Sequence, residues 1–181
     1  MTSIIQTQGI HHITLNGTDR ITSINFWQEI LGMPLIFEQP NLDDLSTNHL
    51  YFDCGDGRTV TVFTREDLQP KKTLQKNITG SVHHLAFWVS QSTIRIAEEN
   101  LSQNGFENSG IKDRGFMDSL YFHEPLGLLI ELASYKFDPP FGYSHGQVLA
   151  EAHKLRQQRG AINIQDEDIA LAIRNFLQTN D

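Results

Sequence analysis

The chain has 181 residues, of which 39% are hydrophobic and 20% are charged, a composition typical of a folded globular protein. Its formal net charge of −8 opposes binding to nucleic acid or to an anionic membrane surface. The single cysteine, Cys54, fits a reducing compartment, and no apolar run reaches the roughly 20 residues that a membrane-spanning helix needs. The start, MTSIIQTQG, does not resemble a signal peptide, so we expect a cytoplasmic protein with no nucleic-acid or membrane partner.

The first predicted element is a strand that opens with two histidines, HHITL at residues 11–15. A helix is expected next, because apolar residues recur at helical spacing before the stop at Gly32. These residues are Ile24, Trp27, Ile30 and Leu31. The segment HLYFDCGDGRTVTVF then indicates a strand, a glycine-containing turn and a second strand. This order predicts a module of one strand, one helix and two or three further strands over about residues 9–65.

The same order of elements recurs in the second half of the chain, where HHLAFWV opens with His83 and His84. A predicted helix with Ile94, Ala97 and Leu101 at helical spacing follows, and SLYFHEPLGLLIELA again reads as strand, turn and strand. LQPKKTLQKN, between the two repeats, indicates a linker. We therefore predict an α+β fold in which two βαβββ modules, at about 9–65 and 80–135, form a mixed-sheet open barrel around a cleft.

The residues from Lys136 onward differ in kind. FDPPFGYSHG indicates a loop, and QVLAEAHKLRQQRG and DEDIALAIRNFLQ predict two helices. The last helix carries an apolar stripe that is typical of a packing face, on the core or at a subunit interface. The stripe consists of Ile169, Ala172, Ile173, Phe176 and Leu177. We therefore divide the chain into one domain of paired modules, 1–136, and a C-terminal helical extension, 137–181.

Two histidines stand out because they occupy equivalent positions in the repeat. Side chains alternate between the two faces of a strand, and the more continuously apolar face of each opening strand is expected to pack under the helices. This sends His12 and His84 to the opposite, concave face. A lone histidine is more often a hydrogen-bonded structural residue than a ligand, but the repetition brings the two interpretations to about equal weight.

A carboxylate in the closing strand favours the ligand interpretation. Glu131 lies inside the apolar segment GLLIELA, and burying an unpaired carboxylate is costly, so a divalent metal or an arginine is expected beside it. Two histidines and one carboxylate, with open positions, are the ligand set of non-haem iron oxygenases. Thr61 stands at the equivalent place in the first module, and threonine is a poor metal ligand. The sequence therefore predicts three protein ligands and not four.

The segments HHITL, HHLAF and LYFHEPLGLLIEL resemble the vicinal oxygen chelate superfamily, which includes glyoxalase I, bleomycin-resistance proteins and extradiol ring-cleaving dioxygenases. The resemblance covers roughly residues 8–136 and is greatest to ring-cleaving dioxygenases that act on hydroquinone-type substrates. The Fe(II) ligands that it implies are His12, His84 and Glu131. The further catalytic residues that it implies near the metal are His11, Arg114 and Tyr121.

This resemblance implies extradiol-type cleavage of a small aromatic diol or hydroquinone by dioxygen, with Fe(II) as cofactor and Mn, Zn or Ni as alternatives, in a homodimer. His11 or Tyr121 would act as acid or base, and Arg114 would steady an anionic oxygen. Trp88 or Phe116 would wall an aromatic ring. Two alternatives stay open. One is a glyoxalase-like lyase or isomerase, which the missing fourth ligand disfavours, and the other is a resistance-type binding protein without catalysis.

The catalytic candidates also have purely structural interpretations. Tyr121 reads equally well as a half-buried core residue. Arg114 reads equally well as a solvated residue or as an ion-pair partner of Asp113 or Asp118. Cys54 lies in a turn-rich segment and is expected to be an incidental thiol, not a nucleophile.

Overall fold

The structure is a computed structural model that describes residues 7–68 and 79–178. These residues form two compact units, the first from 7–68 with 124–128, and the second from 79–123 with 129–178. The predicted linker LQPKKTLQKN lies, apart from Leu68, outside the described residues. None of the helices in the described ranges is long and apolar enough to cross a membrane.

The first unit contains a four-stranded mixed sheet and one short helical segment. Its strands are β1 (His12–Asn16), β2 (Leu35–Pro40), β3 (Asn48–Asp53) and β4 (Thr59–Thr64), and its helix is α1 (Arg20–Ile24). The sheet order is β1-β4-β3-β2, with β1 parallel to β4 and the other pairs antiparallel. This is the βαβββ module that the sequence predicts.

The helix of the first unit departs from the predicted spacing, because α1 continues as a π-helical segment over Asn25–Ile30. The amide of Leu31 donates to the carbonyl of Phe26, five residues back, at 3.1 Å. A π-helical turn holds more residues than an α-helical one, so it rotates the later side chains away from the α-helical register. Trp27 is buried as predicted and Phe26 is buried beside it, while the predicted Ile24 and Ile30 are only half-buried.

The second unit repeats this topology. Its elements are β5 (Leu85–Trp88), α2 (Gln91–Gln103), β6 (Lys112–Asp113), β7 (Met117–His123) and β8 (Leu129–Tyr135). The sheet order is β5-β8-β7-β6, with β5 parallel to β8. The Ser90 side chain caps α2 by accepting from the Thr93 amide, and the helix buries Ile94 and Leu101 as predicted. The α+β fold with two βαβββ modules is therefore confirmed.

The registers make the two sheets equivalent residue by residue. The central position and its two cross-strand neighbours are Thr61 with Thr14 and Tyr51 in the first sheet, and Glu131 with Ala86 and Tyr121 in the second. Two residues before the β1 and β5 neighbours stand His12 and His84. The predicted equivalence of Thr61 and Glu131 is therefore confirmed. Both side chains are buried although they lie on the polar-bearing face of their sheets.

Two helices follow the second module, α3 (His145–Arg159) and α4 (Asp166–Gln178). They pack through a buried cluster of Val148, Ala152, Ile169 and Ala172, with Ile173 and Phe176 partly buried against it. The predicted stripe on α4 is thus a packing face towards α3, except for Leu177, which is exposed. Both helices belong to the second compact unit. The predicted domain division at residue 136 stays a prediction.

Candidate metal and substrate site

The two His-His pairs adopt the same geometry in the two units. Nδ1 of His11 lies 2.8 Å from Nδ1 of His12, and Nδ1 of His83 lies 2.7 Å from Nδ1 of His84. The rings of each pair are nearly perpendicular, at 80° and 82°. One ring nitrogen donates and the other accepts, so the first histidine fixes the orientation of the second and leaves its Nε2 for a different partner. In each His-His pair, the first histidine therefore orients the imidazole of the second, His12 or His84.

In the second unit, the partner of that imidazole is Glu131. Nε2 of His84 lies 2.9 Å from Oε2 of Glu131, because β5 and β8 are neighbours in the sheet. The glutamate is only 3% exposed, and its other oxygen, Oε1, is buried without a hydrogen-bond partner among the described residues. A buried polar atom left unpaired costs about 1–3 kcal/mol. An imidazole nitrogen beside an orphaned carboxylate oxygen fits two ligands of a divalent metal ion.

Two more of the predicted residues lie beside this pair. Tyr121 of β7 is directly opposite Glu131 in the register, and its ring meets the His84 ring edge-on, with 5.9 Å between the ring centres. The guanidinium of Arg114, in the loop before β7, lies 5.6 Å from the centre of the Tyr121 ring. The second unit therefore brings together four of the six candidate residues, two proposed ligands and two proposed catalytic groups.

The acidic residues that the sequence offered as partners for Arg114 are paired with a lysine. Nζ of Lys136 lies 2.6 Å from Oδ1 of Asp113 and 3.4 Å from Oδ1 of Asp118. The hydrogen bond to Lys136 lowers the pKa of the Asp113 carboxyl, with help from the Gly115 amide. The observed contact of Arg114 is instead the face of Tyr121.

His11 and His12 belong to the first unit, where His12 begins β1 and both side chains are exposed. Across residues 7–68 and 79–178, no group of three or more His, Cys, Asp or Glu side chains is arranged to hold a metal ion. The assignment of His12 as a third ligand, and the catalytic role of His11, therefore stay predictions.

Around Thr61, the first sheet carries a hydrogen-bonded chain of polar side chains in place of a carboxylate. The Thr61 hydroxyl donates to Oγ1 of Thr14 at 2.9 Å, so it accepts from Nε2 of His49, which lies 2.8 Å away. With its proton on Nε2, His49 accepts at Nδ1 from the Tyr51 hydroxyl at 3.1 Å. The chain therefore requires a neutral His49. Burial lowers the pKa of His49, and the nearby charge of His12 lowers it further.

Sequence reasoning did not single out His49. Its signal was the alignment of NHLYF with DSLYF, in which His49 stands where the second module has Ser119. Ser119 is buried, and its hydroxyl is another atom without a hydrogen-bond partner among the described residues. The two sheets thus differ at the centre of the same face: the side chains of Thr61, Thr14 and His49 are hydrogen-bonded to one another, whereas Glu131 and Ser119 each keep an oxygen without a partner among the described residues. The first sheet has its own buried hydroxyl without such a partner in Thr64, whose side chain lies on the opposite face of β4.

A cavity of about 220 Å³ adjoins Glu131 in the second unit. Its other lining residues are Ala86, Phe87, Trp88, Met117, Ala133 and Tyr135. Of the two aromatic residues that the sequence proposes as a wall, Trp88 lines this cavity, whereas Phe116 packs against the cluster between α3 and α4. A mainly apolar hollow beside an unsatisfied carboxylate suits a small ligand with an apolar body and a polar or ionised end.

The thiol of Cys54 shows no sign of nucleophilic activation. Burial raises the pKa of Cys54, and the backbone hydrogen bond of Val60 opposes that effect only in part. Since the thiolate is the reactive form, a raised pKa disfavours a catalytic role.

Comparison with known proteins identifies the family of this chain, related sequences and related solved structures. Residues 9–132 match the sequence profile of the Glyoxalase/Bleomycin resistance protein/Dioxygenase superfamily. A protein of Bacillus subtilis (strain 168) named "Putative ring-cleaving dioxygenase MhqA" is 38% identical over 109 residues, which are 58% of this chain and 33% of that protein. The chain thus spans about a third of the length of that relative.

Solved structures share the fold at lower identity. A glyoxylase/bleomycin resistance protein/dioxygenase domain from Frankia sp. EAN1pec superposes with a TM-score of 0.62 at 18% identity, covering 72% of this chain and 100% of that one. The fosfomycin resistance protein FosX of Listeria monocytogenes, crystallised with Mn(II), superposes with a TM-score of 0.53 at 21% identity, covering 70% of this chain and 92% of that one.

Proposed function

Since the chain belongs to the glyoxalase/bleomycin resistance protein/dioxygenase superfamily, we propose that it is a metal-dependent ring-cleaving dioxygenase of the extradiol type. Its proposed substrate is a small aromatic diol or hydroquinone. The observation that carries the proposal is the His84–Glu131 pair, whose buried Oε1 lacks a hydrogen-bond partner beside an apolar cavity. The relative whose name includes ring-cleaving dioxygenase supports the class of reaction.

The residues proposed to hold Fe(II) are His12, His84 and Glu131. Nε2 of His84 and the carboxylate of Glu131, which lie together in the second unit, support two of these assignments. His12 is assigned by its equivalence to His84. Imidazole nitrogens and carboxylates also bind Mn, Zn or Ni. The Mn(II) in the FosX structure supports the proposal of a divalent metal. The chemistry that bound Fe(II) supplies is the joint activation of dioxygen and an ionised aromatic diol.

A three-ligand set is favoured over the four-ligand set of a glyoxalase-like lyase. Thr61 occupies the position of a fourth ligand, and its hydroxyl is already engaged with His49 and Thr14. Three protein ligands leave room for both a bidentate diol and dioxygen, which is what ring cleavage requires.

The surrounding residues receive roles in proton handling, charge and exclusion of water. Tyr121, opposite Glu131, is assigned to hold or deliver a proton at a substrate oxygen, and His11 is its alternative. Arg114, over the Tyr121 ring, is assigned to stabilise an anionic substrate oxygen. Trp88 and Tyr135 are assigned to keep water from the bound ring.

Oxygen uptake by anaerobically reconstituted Fe(II) protein tests the proposal. With a hydroquinone or catechol, the expected result is consumption of one dioxygen per ring opened, with both atoms of labelled dioxygen in the product. Tyr121→Phe is expected to lower kcat by about 10²- to 10⁴-fold through loss of acid–base catalysis. His153→Ala is the matched control, because His153 is an exposed histidine of α3 whose ring contacts Arg156.

Each alternative has its own signature in the same assay. Isomerisation of a hemithioacetal without oxygen uptake would replace the proposal with a glyoxalase-like lyase. Stoichiometric binding of the aromatic compound by a protein that retains no metal would replace it with a resistance-type binding protein.

A further inference from the structure

We propose that His145, the first residue of α3, is a positioning residue for the cavity beside Glu131. By stacking on Tyr135 and contacting Trp88, it fixes the aromatic wall against which a single-ring aromatic ligand binds. The inference deepens the proposed function and rests on it for the identity of the ligand. The contacts themselves lie wholly within the second unit.

The rings form one continuous cluster. His145 and Tyr135 are stacked, with 4.0 Å between ring centres and 14° between ring planes. His145 meets Trp88 at 5.7 Å and 63°, and Phe137 at 5.3 Å. The pair with Tyr135 is stacked, the pair with Trp88 is edge-on and the pair with Phe137 is tilted, and close aromatic pairs of this kind attract one another. Two of the three rings that His145 touches, Trp88 and Tyr135, line the cavity.

Trp88 needs such a contact. It is 72% exposed at the end of β5, so most of its indole has no protein neighbour to hold the rotamer. The edge-on contact with His145 restricts the indole on one side, since a ring that rotates away loses it. The orientation of this wall is therefore coupled to the position of α3.

The helix that carries His145 is itself well fixed. Ser144 caps α3 with a full capping box, because its hydroxyl accepts from the Gln147 amide while its own amide donates to the Gln147 side chain at 2.8 Å. Val148 and Ala152, on the next turns, are fully buried against α4. A side chain on a capped and packed helix is held more precisely than one on a loop. The C-terminal extension thereby becomes part of the site.

Small side chains shape the hollow in the second sheet. Ala86 and Ala133 flank Glu131 and line the cavity, and their small side chains leave space above the sheet. In the first sheet, the position of Ala133 is taken by Phe63, whose ring packs on His49 at 4.3 Å. The cavity of about 220 Å³ exceeds the roughly 150 Å³ of an apolar cavity known to bind benzene. A single aromatic ring with its hydroxyl towards Glu131 therefore fits.

The test uses the metal-free 181-residue chain and 4-nitrophenol, which quenches tryptophan fluorescence when it binds nearby. Under excitation selective for tryptophan, the fluorescence of the chain comes from Trp27 and Trp88. Subtracting the fluorescence of the Trp88→Phe variant isolates the signal of Trp88. His145→Ala is expected to weaken binding about two- to tenfold, the value of one lost aromatic contact, and to raise quenching of Trp88 by acrylamide. His145→Phe, which keeps a flat ring for stacking on Tyr135, is expected to restore both.

Two controls separate positioning from general structure. His153→Ala, elsewhere on α3, is expected to bind 4-nitrophenol like the unaltered chain. Ala133→Leu, which fills the hollow, is expected to abolish binding while the circular dichroism spectrum is retained.

Three results would overturn the inference. These are unchanged binding and unchanged Trp88 accessibility in His145→Ala, a folded His145→Phe that fails to restore binding, and no binding of millimolar 4-nitrophenol by the unaltered chain. Because the binding measurement uses no metal, failure of the pocket and failure of the proposed reaction are distinguishable. Binding that depends on His145, in a chain that takes up neither Fe(II) nor oxygen, would retain the pocket and reject the proposed reaction.

Discussion

Glu131 is held at a cost that its own surroundings do not offset. One carboxylate oxygen contacts His84, and the other is buried without a hydrogen-bond partner among the described residues. Glu124, on the turn of the same hairpin, provides the contrast, since its Oε2 accepts from the amides of Leu126 and Leu128. Burial raises the pKa of Glu124, and those backbone hydrogen bonds oppose the rise. Residues that are strained or unsatisfied in the resting protein are commonly functional.

This contrast predicts opposite effects of the same substitution. Glu131→Met removes a buried unpaired oxygen together with the oxygen that contacts His84, whose side chain is 32% exposed and can hydrogen-bond to water instead. The substitution is therefore expected to raise the free energy of unfolding of the metal-free protein, by at most about 1–3 kcal/mol, while Fe(II) no longer stabilises it. Glu124→Met, the matched control, removes an acceptor from two amides and is expected to lower stability. Urea unfolding with and without Fe(II) measures both. Equal destabilisation by the two substitutions would show that Glu131 is an ordinary structural residue.

The sequence could single out His84 and Glu131, which the structure places 2.9 Å apart, because strand alternation and an acidic residue in an apolar run are local signals. Sequence reasoning could not identify the role of His49. That role depends on hydrogen bonds that run from His49 on β3 to Thr61 on β4 and on to Thr14 on β1. Contacts between strands leave no pattern in the local sequence. The contact of Arg114 with Tyr121 could not be predicted either, because the nearby Asp113 and Asp118 are equally plausible partners for the guanidinium in the sequence.

At the scale of elements, periodicity predicted α2 and the two hairpins, which are regular. It failed where the backbone is irregular. The π-helical segment Asn25–Ile30 buries Phe26, which the helical spacing did not predict, beside Trp27, which it did. Strand β6 has only two residues, too few for any alternation. β2 is an edge strand with an irregular register that ends at Pro40, which weakens its pattern in the same way.

Besides their apolar cluster, α3 and α4 are joined by an ion pair whose carboxylate titrates in acid. Nη2 of Arg159 lies 2.6 Å from Oδ2 of Asp168, which also accepts from the Gln165 amide. The Arg159 hydrogen bond lowers the pKa of Asp168 below its ordinary 3.8. A carboxyl whose folded-state pKa is lowered contributes stability above the unfolded value and loses it as the pH falls through the folded value.

Asp168→Asn is therefore expected to be less stable than the unaltered chain at neutral pH and to show a flatter loss of stability in acid. The difference between the two unfolding curves should shrink as the pH falls below 3.8. Asp166→Asn, an exposed acid at the start of the same helix, is the control. Helical circular dichroism against urea at several pH values measures the effect, and parallel curves for the two variants would contradict it.

At the scale of the whole molecule, a tandem repeat has diverged into two sheets with different centres. The repeat was readable from the sequence because the His-His openings, stop glycines and hairpins recur in order. The divergence was readable only in part, as threonine against glutamate at equivalent positions. The first sheet carries a hydrogen-bonded chain of polar side chains around Thr61. The second carries the buried carboxylate with an unpaired oxygen, the apolar hollow and the helical extension that borders it.

The resemblance to the superfamily also predicts a homodimer. Light scattering is expected to give twice the chain mass of 20.6 kDa, independent of Fe(II). A mass of 20.6 kDa at micromolar concentration would contradict this prediction without bearing on the metal site.

The most direct test of the account is the Fe(II) content of the anaerobically purified, tag-free chain, measured by plasma emission spectrometry. We predict one Fe(II) per chain, lost in His84→Ala and Glu131→Gln, lost also in His12→Ala, and retained in His153→Ala. Retention in His12→Ala would remove the first unit from the ligand set. No Fe(II) in the unaltered chain, even after anaerobic reconstitution, would contradict the central claim that the orphaned oxygen of Glu131 awaits a metal ion.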